Sequence, residues 1–539
     1  MTKVYFQKHE VFPWRGDVET GSLCVRGGLY YKGVYYDQEI PESLYHMSSL
    51  QDFQAELPYL SGHYALICRI SGKTVVCTNR IGIYPLFYSV KDKEVMVSDS
   101  FELLEQQQDQ IQKDDMALME FVTSQMTIGD RTFHQNIRVL QAGQYAVIDE
   151  NTHAVEIIDY DLHIHTERYT DDEKWLIAEH NRVVDDVFQR MINSLRGRKV
   201  LLFLSGGYDS RLVATQLKKL NYQNVLCVSF AGEERETQVA QAIAEKLGFE
   251  WKLVTAKQGF VRELLRDDEM IRKYWRIASN GFRIPYLESI ILKHYIDNGE
   301  IPSDCVIING NSGDLIEGDQ FCKHFLPRNT YHRDELIDQI LDCHFYVFGL
   351  KLQRYPALRE IIKEELGLTQ EKYSYEQCQE IFERFNWRQR QSKYVVNSYV
   401  ECEEILQTEW RLPLWDDALV DYWLNVPIVH RAYRNLYYKI VSEERLPTAN
   451  VETAYLKIMH AAKKFCLPLV HLLYPVRKMM TYILRSNLFY PLGLKELLKI
   501  ISYTKGNRTN VMTAEIYVTA RDFYPQYFGD IDVFLQKYL

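Results

Sequence analysis

A short segment near the middle of the chain combines the residue types that a phosphate-binding loop needs: Ser205-Gly206-Gly207-Tyr208-Asp209-Ser210. Gly206 and Gly207 allow the backbone to come close to a ligand, and the free N–H groups at the start of a following helix attract an anion. Ser205 and Ser210 add hydroxyl groups, and Asp209 supplies a carboxylate of the kind that a phosphate-bound Mg²⁺ requires. The segment therefore predicts an anion cradle, with an ordinary serine-capped turn as the alternative.

Apolar strands and amphipathic helices alternate around this loop. The periodicity predicts strands over 199–204, 225–230, 251–254 and 305–308, and helices over 210–220, 237–247 and 284–297. Such alternation is typical of βαβ units with right-handed crossovers, so this half is predicted to be an α/β doubly wound parallel sheet. Sheets of this kind bind ligands at the carboxyl ends of their strands, which is where the loop follows its strand.

The first 160 residues or so have a different pattern. Short β segments separated by turns are predicted over 23–31, 64–70, 74–78, 86–89, 94–97 and 144–148, with a helix over 116–124. This pattern indicates an α+β unit built mainly on antiparallel sheet. A helical period over 170–195 begins the second half, and the segment from about 320 to 445 is predicted to be helical.

Composition excludes several classes of protein. The 539 residues are 46% hydrophobic and 25% charged with a net charge of −10, which does not fit a disordered, collagen-like or nucleic-acid-coating chain. We find no apolar run of the roughly 18 residues that a membrane span needs, and charges near the N-terminus do not fit a secretory signal. We therefore expect a cytoplasmic protein. The ten cysteines include no Cys-x-x-Cys pair, so neither a disulfide framework nor a zinc site is indicated.

The loop sequence resembles the Ser-Gly-Gly-x-Asp-Ser motif of the N-type ATP pyrophosphatases, in particular the asparagine synthetase and β-lactam synthetase branch. The resemblance implies an adenine nucleotide α-hydrolase-like sheet with ATP and Mg²⁺ as cofactors. It assigns ATP and pyrophosphate binding to the residues Ser205, Gly206, Gly207, Asp209, Ser210, Ser229, Phe230 and Gly310. The segment 309–314, Asn-Gly-Asn-Ser-Gly-Asp, matches the family loop whose aspartate shares Mg²⁺ with the first loop, so Asp209 and Asp314 are the implied metal ligands.

Two further segments extend the resemblance toward the C-terminus. The sequence 411–416, Arg-Leu-Pro-Leu-Trp-Asp, is similar to the family's Arg-Val-Pro-Phe-Leu-Asp, and Lys439 lies where the branch keeps a catalytic lysine. The implied catalytic residues are therefore Lys439, Asp416 and Asn311, with a solvated helix lysine as the alternative for Lys439. Asn311 stands where asparagine synthetases have glutamate and β-lactam synthetases have tyrosine, and a neutral amide cannot act as a base.

The N-terminal half is similar to the glutamine amidotransferase domain of asparagine synthetases, an N-terminal-nucleophile (Ntn) hydrolase sandwich. The similar segments are 62–67, 79–88, 98–100, 131–133 and 140–143. The family places a nucleophilic cysteine directly after the initiator methionine, whereas this chain has Thr2 followed by Lys3. We therefore expect residues 1–165 to form an amidotransferase-like unit without glutaminase activity, although threonine serves as an N-terminal nucleophile in other proteins.

The resemblance implies an AMP-forming amidoligase over residues 170–450. Such an enzyme adenylates a carboxylate and transfers ammonia or an amine to it. Similarity of the loop around Asn311 to proteins encoded with surface-polysaccharide genes favours a sugar uronic acid as the carboxylate. The alternatives are a glutamine-hydrolysing asparagine synthetase, a lactam or macrolactam cyclase, and a non-catalytic relative; a tRNA-thiolating enzyme is disfavoured by the scattered cysteines and the net acidity.

The expected partners are a small carboxylate and an ammonia or amine donor, without nucleic acid. Residues 451–539 are predicted to be a helical basic extension, since 463–508 contain nine Lys and Arg residues and one acidic residue, Glu496. Peripheral association with an anionic membrane surface and a solvated helical face are both open for this segment. The oligomeric state is open as well, with a homodimer as one possibility.

Overall fold

The structure is a computed structural model that describes residues 2–91, 93–230, 234–255, 269–285, 288–311, 313–319, 324–325, 329–347, 356–396, 403, 405–441, 516 and 519–538. The whole of the basic segment 463–508 therefore lies outside the described residues. Within the described ranges, no helix has both the length and the hydropathy that crossing a bilayer requires.

Four sheets contain the strands of the described chain. In chain order the strands are β1 (Lys3–Tyr5), β2 (Arg15–Gly16), β3 (Leu23–Tyr31), β4 (Val34–Tyr36), β5 (Leu60–Ile70), β6 (Lys73–Thr78), β7 (Phe87–Lys91), β8 (Glu94–Ser98), β9 (Ile137–Val139), β10 (Gln144–Asp149), β11 (Val155–Asp159), β12 (Lys199–Phe203), β13 (Val225–Phe230), β14 (Glu250–Val254), β15 (Cys305–Asn309), β16 (Thr330–His332), β17 (Lys372–Ser374) and β18 (Glu409–Arg411).

Helices connect and cover these sheets. They are α1 (Glu42–Tyr45), α2 (Leu50–Glu56), α3 (Phe101–Glu105), α4 (Asp115–Ser124), α5 (Glu173–Leu195), α6 (Tyr208–Lys219), α7 (Glu234–Leu247), α8 (Glu269–Ser279), α9 (Glu288–Asp297), α10 (Gly313–Ile316), α11 (Arg333–His344), α12 (Pro356–Glu365), α13 (Tyr375–Phe385), α14 (Asp417–Asn425), α15 (Ile428–Arg431), α16 (Asn435–Lys439), α17 (Pro525–Phe528) and α18 (Ile531–Tyr538). Short 3₁₀ segments (Leu57–Tyr59, Pro413–Trp415, Ala432–Arg434) and π-helical segments (Asn386–Val396, Thr519–Phe523) complete the described elements.

The N-terminal half consists of two sheets that share a hydrophobic core. The strand orders are β1-β8-β7-β9 and β11-β10-β6-β5-β3-β2, with β4 on β3, and the pairs are antiparallel except β1 with β8. Because side chains alternate along a strand, Ala65 and Ile67 of β5 face the cluster that contains Phe87 of β7. Leu66 on the opposite face packs in the cluster of Phe53 from α2. The predicted antiparallel pattern is thus observed, with β1 as the parallel exception.

The second half is built on a five-stranded parallel sheet of order β14-β13-β12-β15-β18. The predicted strand over 225–230 is observed as β13, and the other three differ from their predicted bounds by one residue. β18, which contains Arg411, lies in a region predicted to be helical, so that part of the prediction is wrong. Three residues are too few to show a period of two, and the segment becomes a strand because it pairs with β15.

Helix α5 joins the two halves and buries one face along its whole length. Its N-terminus is capped by Asp172, and the helix ends at Arg196 in a left-handed conformation. Buried side chains of α5 such as Val184 and Phe188 belong to the same hydrophobic cluster as strands of both halves. The two halves therefore share one continuous core.

A buried carboxylate anchors the N-terminal segment to the four-stranded sheet. Asp99, directly after β8, accepts hydrogen bonds from His9 Nε2 at 2.6 Å, Trp14 Nε1 at 2.7 Å and the Gln7 amide at 2.8 Å. Burial acts to raise the pKa of Asp99, but the bonds from His9 and Trp14 and the charge of Arg26 bring that pKa below its usual value. The carboxylate is therefore ionised in the folded protein.

We expect Asp99→Asn to lower the free energy of unfolding at pH 7 by about 3 kcal/mol, because the substitution leaves buried donors without a charged acceptor. Since the folded pKa lies below the unfolded one, this contribution is complete above about pH 5 and is lost as the pH falls through the folded pKa. Urea unfolding at pH 7 and pH 4 measures it, and the loss should be smaller at pH 4. The control Asp109→Asn, an exposed partner of Lys91, should change stability by less than about 0.5 kcal/mol at either pH.

Candidate active site

The loop after β12 is closed by hydrogen bonds among its own residues. The Ser205 amide donates to Ser210 Oγ at 3.1 Å, and the Gly207 amide donates to Ser205 Oγ at 3.1 Å. Arg211 Nη2 donates to the Gly206 carbonyl at 2.9 Å, which ties the loop to the first turn of α6. No side chain caps α6 at Gly207, so the amides at this helix start face the loop with their positive dipole end.

The loop after β15 packs directly on the first loop. The parallel register pairs Phe203 with Asn309, so both loops leave the sheet at the same level. A Cβ atom at Gly310 would lie 2.5 Å from the Ser210 amide nitrogen, and one at Gly313 would lie 3.1 Å from Asp209 Cγ. Only glycine permits this approach at position 310, because the neighbouring atom belongs to the backbone.

Asp209 and Asp314 lie on these two touching loops. Asp209 is in the first turn of α6, and Asp314 is the second residue of α10 and accepts the Leu315 amide at 3.0 Å. Among the described residues, no group of three His, Cys, Asp or Glu side chains could hold a metal by itself. Mg²⁺ in nucleotide sites is bound through one or two carboxylates together with phosphate oxygens, so these two residues suit a metal that arrives with a nucleotide.

Two buried side chains beside the loops have spare hydrogen-bond donors. Asn309 Nδ2, and Nε and Nη1 of Arg211, are buried without a hydrogen-bond partner within the described part of the chain. Leaving such donors unpaired costs about 1–3 kcal/mol each, and more when the group is charged. These donors belong to the residues directly before Gly310 and directly after Ser210, next to the contact between the two loops.

An ion-pair network that the sequence did not indicate surrounds Asp209. Arg434 Nη2 donates to Asp209 Oδ1 at 2.5 Å and also binds Glu317 Oε2, and the Tyr437 hydroxyl donates to the same Asp209 oxygen at 2.9 Å. Burial acts to lower the pKa of Arg434, but the carboxylates of Glu317 and Asp209 outweigh it and raise that pKa above the usual value. Arg434 is therefore a permanent cation beside the cradle.

A signal for one member of this network was present in the sequence. Glu317 follows Asp314 by three residues, which on a helical turn places both side chains on one face. Arg434 and Tyr437 have no comparable local signal, since they reach Asp209 from more than 200 residues away.

The predicted catalytic residues lie around the cradle in different settings. The Asn311 backbone amide donates to Asn309 Oδ1 at 3.0 Å, within the loop after β15. Asp416 caps α14 and accepts from Arg190 Nη2 at 2.9 Å. Lys439, at the end of α16, is partly exposed and forms an ion pair with Glu173 in the first turn of α5.

The predicted adenine segment lies at the carboxyl end of β13, next to β12. Ser229 Oγ donates to the Leu204 carbonyl at 2.7 Å and accepts from Trp251 Nε1 at 2.9 Å, so its hydroxyl is engaged within the sheet. Phe230 packs edge-on against Phe203 with ring centroids 5.2 Å apart. Residues 231–232 of this segment lie outside the described ranges.

Thr2, which stands where the family has its nucleophile, is almost completely buried. Its amide donates to Glu150 Oε2 at 2.6 Å, and its carbonyl accepts from Arg69 Nη2 at 2.7 Å. Hydrogen bonds from Thr74 and Thr2 bring the pKa of Glu150 below its usual value although burial acts to raise it. The Thr2 backbone is thus held by an ionised carboxylate and an arginine.

We expect Gly310→Ala to lower the free energy of unfolding by about 1–3 kcal/mol, because the added methyl group forces the two loops apart. The same change should weaken binding of inorganic pyrophosphate, measured by calorimetry. The control is Gly299→Ala, where a methyl group meets no atom within 4 Å and only the left-handed backbone is strained, at a cost of about 1 kcal/mol. Pyrophosphate binding that is equally strong in both variants would contradict a ligand cradle at these loops.

Comparisons with known proteins match both halves of the chain. A family model for a glutamine amidotransferase domain matches residues 44–160, and a family model for asparagine synthase matches residues 184–275. The second match contains the loop 205–210, and the first begins after Thr2. The solved structure of NMN synthetase from Francisella tularensis matches with 15% sequence identity, covering 40% of this chain and 93% of its own, at a TM-score of 0.20. Curated protein sequences give no significant match.

The two family models occur in the order that the sequence predicted. The amidotransferase match precedes the asparagine synthase match, and the latter contains the loop 205–210. The loop 205–210 and strands β12, β13 and β14 lie within the asparagine synthase match, whereas Asp314, β15 and β18 lie beyond its end. Both halves of the chain are thus similar to asparagine synthetase-like proteins, and the asparagine synthase match supports an ATP-dependent amidating ligase.

Proposed function

We propose that this chain adenylates a carboxylate at the loops 205–210 and 309–314 and then transfers ammonia or an amine to it. The observation that carries the proposal is the contact between these loops, which brings Asp209 and Asp314 to one edge of the sheet. The proposal assigns the activity to residues 170–450, on an adenine nucleotide α-hydrolase-like sheet. Residues 1–165 would form an Ntn-hydrolase-like sandwich that has lost its glutaminase activity.

The reaction proceeds in two steps that conserve every atom. A carboxylate oxygen of the substrate attacks the α-phosphorus of ATP, the bond to the bridging oxygen breaks, and pyrophosphate leaves. Ammonia or an amine then attacks the acyl carbon of the acyl-adenylate, AMP leaves, and one proton is released from the nitrogen. Both steps need positioned charges rather than a covalent protein nucleophile.

The residues of the site divide these tasks. The Gly206 amide and the hydroxyls of Ser205 and Ser210 would hold the departing pyrophosphate, and the Gly207 amide would join them by leaving Ser205 Oγ. Mg²⁺, held by Asp209 and Asp314, would neutralise the phosphate charge. The segment at Ser229 and Phe230 would hold adenine through its backbone.

The acceptor side of the site is assigned to Asn311 and Asp416, with Lys439 as a cation for the second step. Asn311 is partly exposed on the loop after β15 and would donate its amide N–H to a substrate oxygen. A neutral amide suits a hydroxyl-rich substrate such as a sugar uronic acid, which we propose as the carboxylate, in surface-polysaccharide synthesis. A free aspartate, as in asparagine biosynthesis, would leave its ammonium group without an ionic partner at Asn311.

The burial of Thr2 supports a nitrogen source other than glutamine. An N-terminal nucleophile must reach a substrate carbonyl, whereas Thr2 is enclosed and its backbone is bound by Glu150 and Arg69. Free ammonia or the amine of a second substrate is therefore the proposed donor, and an amine within the same substrate would give a lactam or macrolactam.

We expect purified protein to incorporate labelled pyrophosphate into ATP when Mg²⁺ and the correct carboxylate are present, because acyl-adenylate formation is reversible. Asp209→Ala should reduce this exchange by about a hundredfold or more, because the Mg²⁺ that accompanies pyrophosphate would lose one of its two carboxylate ligands. A panel of sugar uronic acids, aspartate and amino carboxylates identifies the substrate. The control Asp186→Ala, an exposed residue of α5, should exchange at the wild-type rate.

The products distinguish the competing functions. Formation of ADP in place of AMP would contradict the adenylation mechanism. Failure of the wild-type protein to bind ATP in calorimetry would favour a non-catalytic relative, and AMP formation with aspartate as the preferred carboxylate would favour an asparagine synthetase.

For glutamine, we expect negligible glutamate release by the wild-type protein and the same rate in Thr2→Ala, because the threonine hydroxyl is enclosed. Coupled assay of glutamate with and without ATP provides the measurement. Glutamate release that disappears in Thr2→Ala would show instead that Thr2 is a working nucleophile.

A further inference from the structure

We propose that Arg434 is displaced by the metal: it neutralises Asp209 in the ligand-free protein and moves onto the phosphate oxygens when a divalent cation binds Asp209. The inference rests on the proposed function, because it concerns the cation that accompanies Mg²⁺ and pyrophosphate at the same loops. It assigns a role to a residue that neither the motifs nor the family models single out.

The geometry shows that Arg434 and a metal compete for one oxygen. Asp209 Oδ1 accepts from Arg434 Nη2 at 2.5 Å and from the Tyr437 hydroxyl at 2.9 Å. A metal ion that bound this oxygen would meet the guanidinium charge within a few ångströms, and two cations at that distance repel strongly where the site is poorly solvated. Metal binding at Asp209 Oδ1 therefore requires Arg434 to move.

The phosphate oxygens offer Arg434 a better partner than the one it leaves. The guanidinium is planar and pairs with phosphate through two parallel hydrogen bonds, and its Nε–H has no hydrogen-bond partner among the described residues. Glu317 also binds Arg434 Nη2 and is almost fully buried, so it keeps the guanidinium beside the cradle during the exchange.

The local backbone and its neighbours fit a side chain with two positions. Arg434 has φ +60° in the left-handed region, directly before α16. Non-glycine residues in that region are held by their surroundings and are enriched at functional sites. The guanidinium lies 4.5 Å from the ring centroid of Tyr437 and 5.2 Å from that of Tyr438, and such aromatic faces hold a cation without fixing one orientation.

Arg434 is better placed than Lys439 to act as the cation beside the leaving pyrophosphate. The Lys439 ammonium is 39% exposed and pairs with Glu173, whereas the Arg434 side chain is 9% exposed and contacts the metal ligand itself. A buried charge acts on developing phosphate charge with less screening than an exposed one.

The test measures two affinities that should change in opposite directions. Calorimetric titration with Mn²⁺ alone is expected to show binding about fivefold or more tighter in Arg434→Gln than in wild type, because the competitor for Asp209 is gone. Titration with inorganic pyrophosphate in the presence of Mn²⁺ is expected to show weaker binding by a similar factor. Arg434→Lys should recover part of the pyrophosphate affinity, and the matched control Arg182→Gln, an exposed ion pair on α5, should change neither.

A second variant separates loss of the Arg434 charge from misfolding, because Arg434→Gln alone leaves Glu317 buried without its partner. Arg434→Gln/Glu317→Gln removes both charges, and its folding is checked by circular dichroism; it should keep the loss of pyrophosphate affinity. Unchanged Mn²⁺ affinity in Arg434→Gln, or unchanged pyrophosphate affinity in both Gln variants, overturns the inference. If the wild-type protein binds Mn²⁺ but neither ATP nor pyrophosphate, the proposed function is contradicted, and so is the movement of Arg434 onto phosphate oxygens. Tighter Mn²⁺ binding in Arg434→Gln would in that case still establish that Arg434 and the metal compete for Asp209.

Discussion

The parallel pairing of β12 with β15 determines where every loop of the site begins. Phe203 and Asn309 are register partners, so the two chains leave the sheet side by side, and Gly310 lets their backbones touch. Asp209 and Asp314 are close only because of this contact. A one-residue slip of β15 would reverse the direction of its side chains and separate the two carboxylates.

The charged side chains of the site lie around this contact between the two loops. Asp209, Asp314 and Glu317 approach one another, and Arg434 supplies the nearby positive charge, itself held by Tyr437 and Tyr438. Burial raises the pKa of Glu317 well above its usual value, which limits the negative charge that this residue adds beside Asp209 and Asp314. The helix start at Gly207 presents its positive dipole end to the same loops. The two loops therefore bring groups of both signs to one edge of the sheet.

The sequence predicted the elements of this half more fully than it predicted the charges between them. The strands and the helix α6 have clear hydrophobic periods, and the Ser-Gly-Gly-x-Asp-Ser motif identified the loop, because those signals are local. β18 was missed because three residues carry no readable period. The pairing of Arg434 with Glu317 spans 117 residues along the chain, and no local pattern reports which distant residues a fold brings together. Asp416 and Lys439 were identified by motif position, but only the structure shows that each already has an ionic partner.

The continuous hydrophobic core has a consequence for how this chain has evolved. A half that folded separately could be deleted from the gene once its chemistry was no longer selected, and the remainder would stay intact. Here α5 and the strands of both halves are buried in one cluster, so deletion would expose a large apolar surface and unfold what remained. Truncation of the N-terminal half is therefore expected to destabilise the second half as well, whereas a substitution at one position leaves the shared packing of the sheets in place.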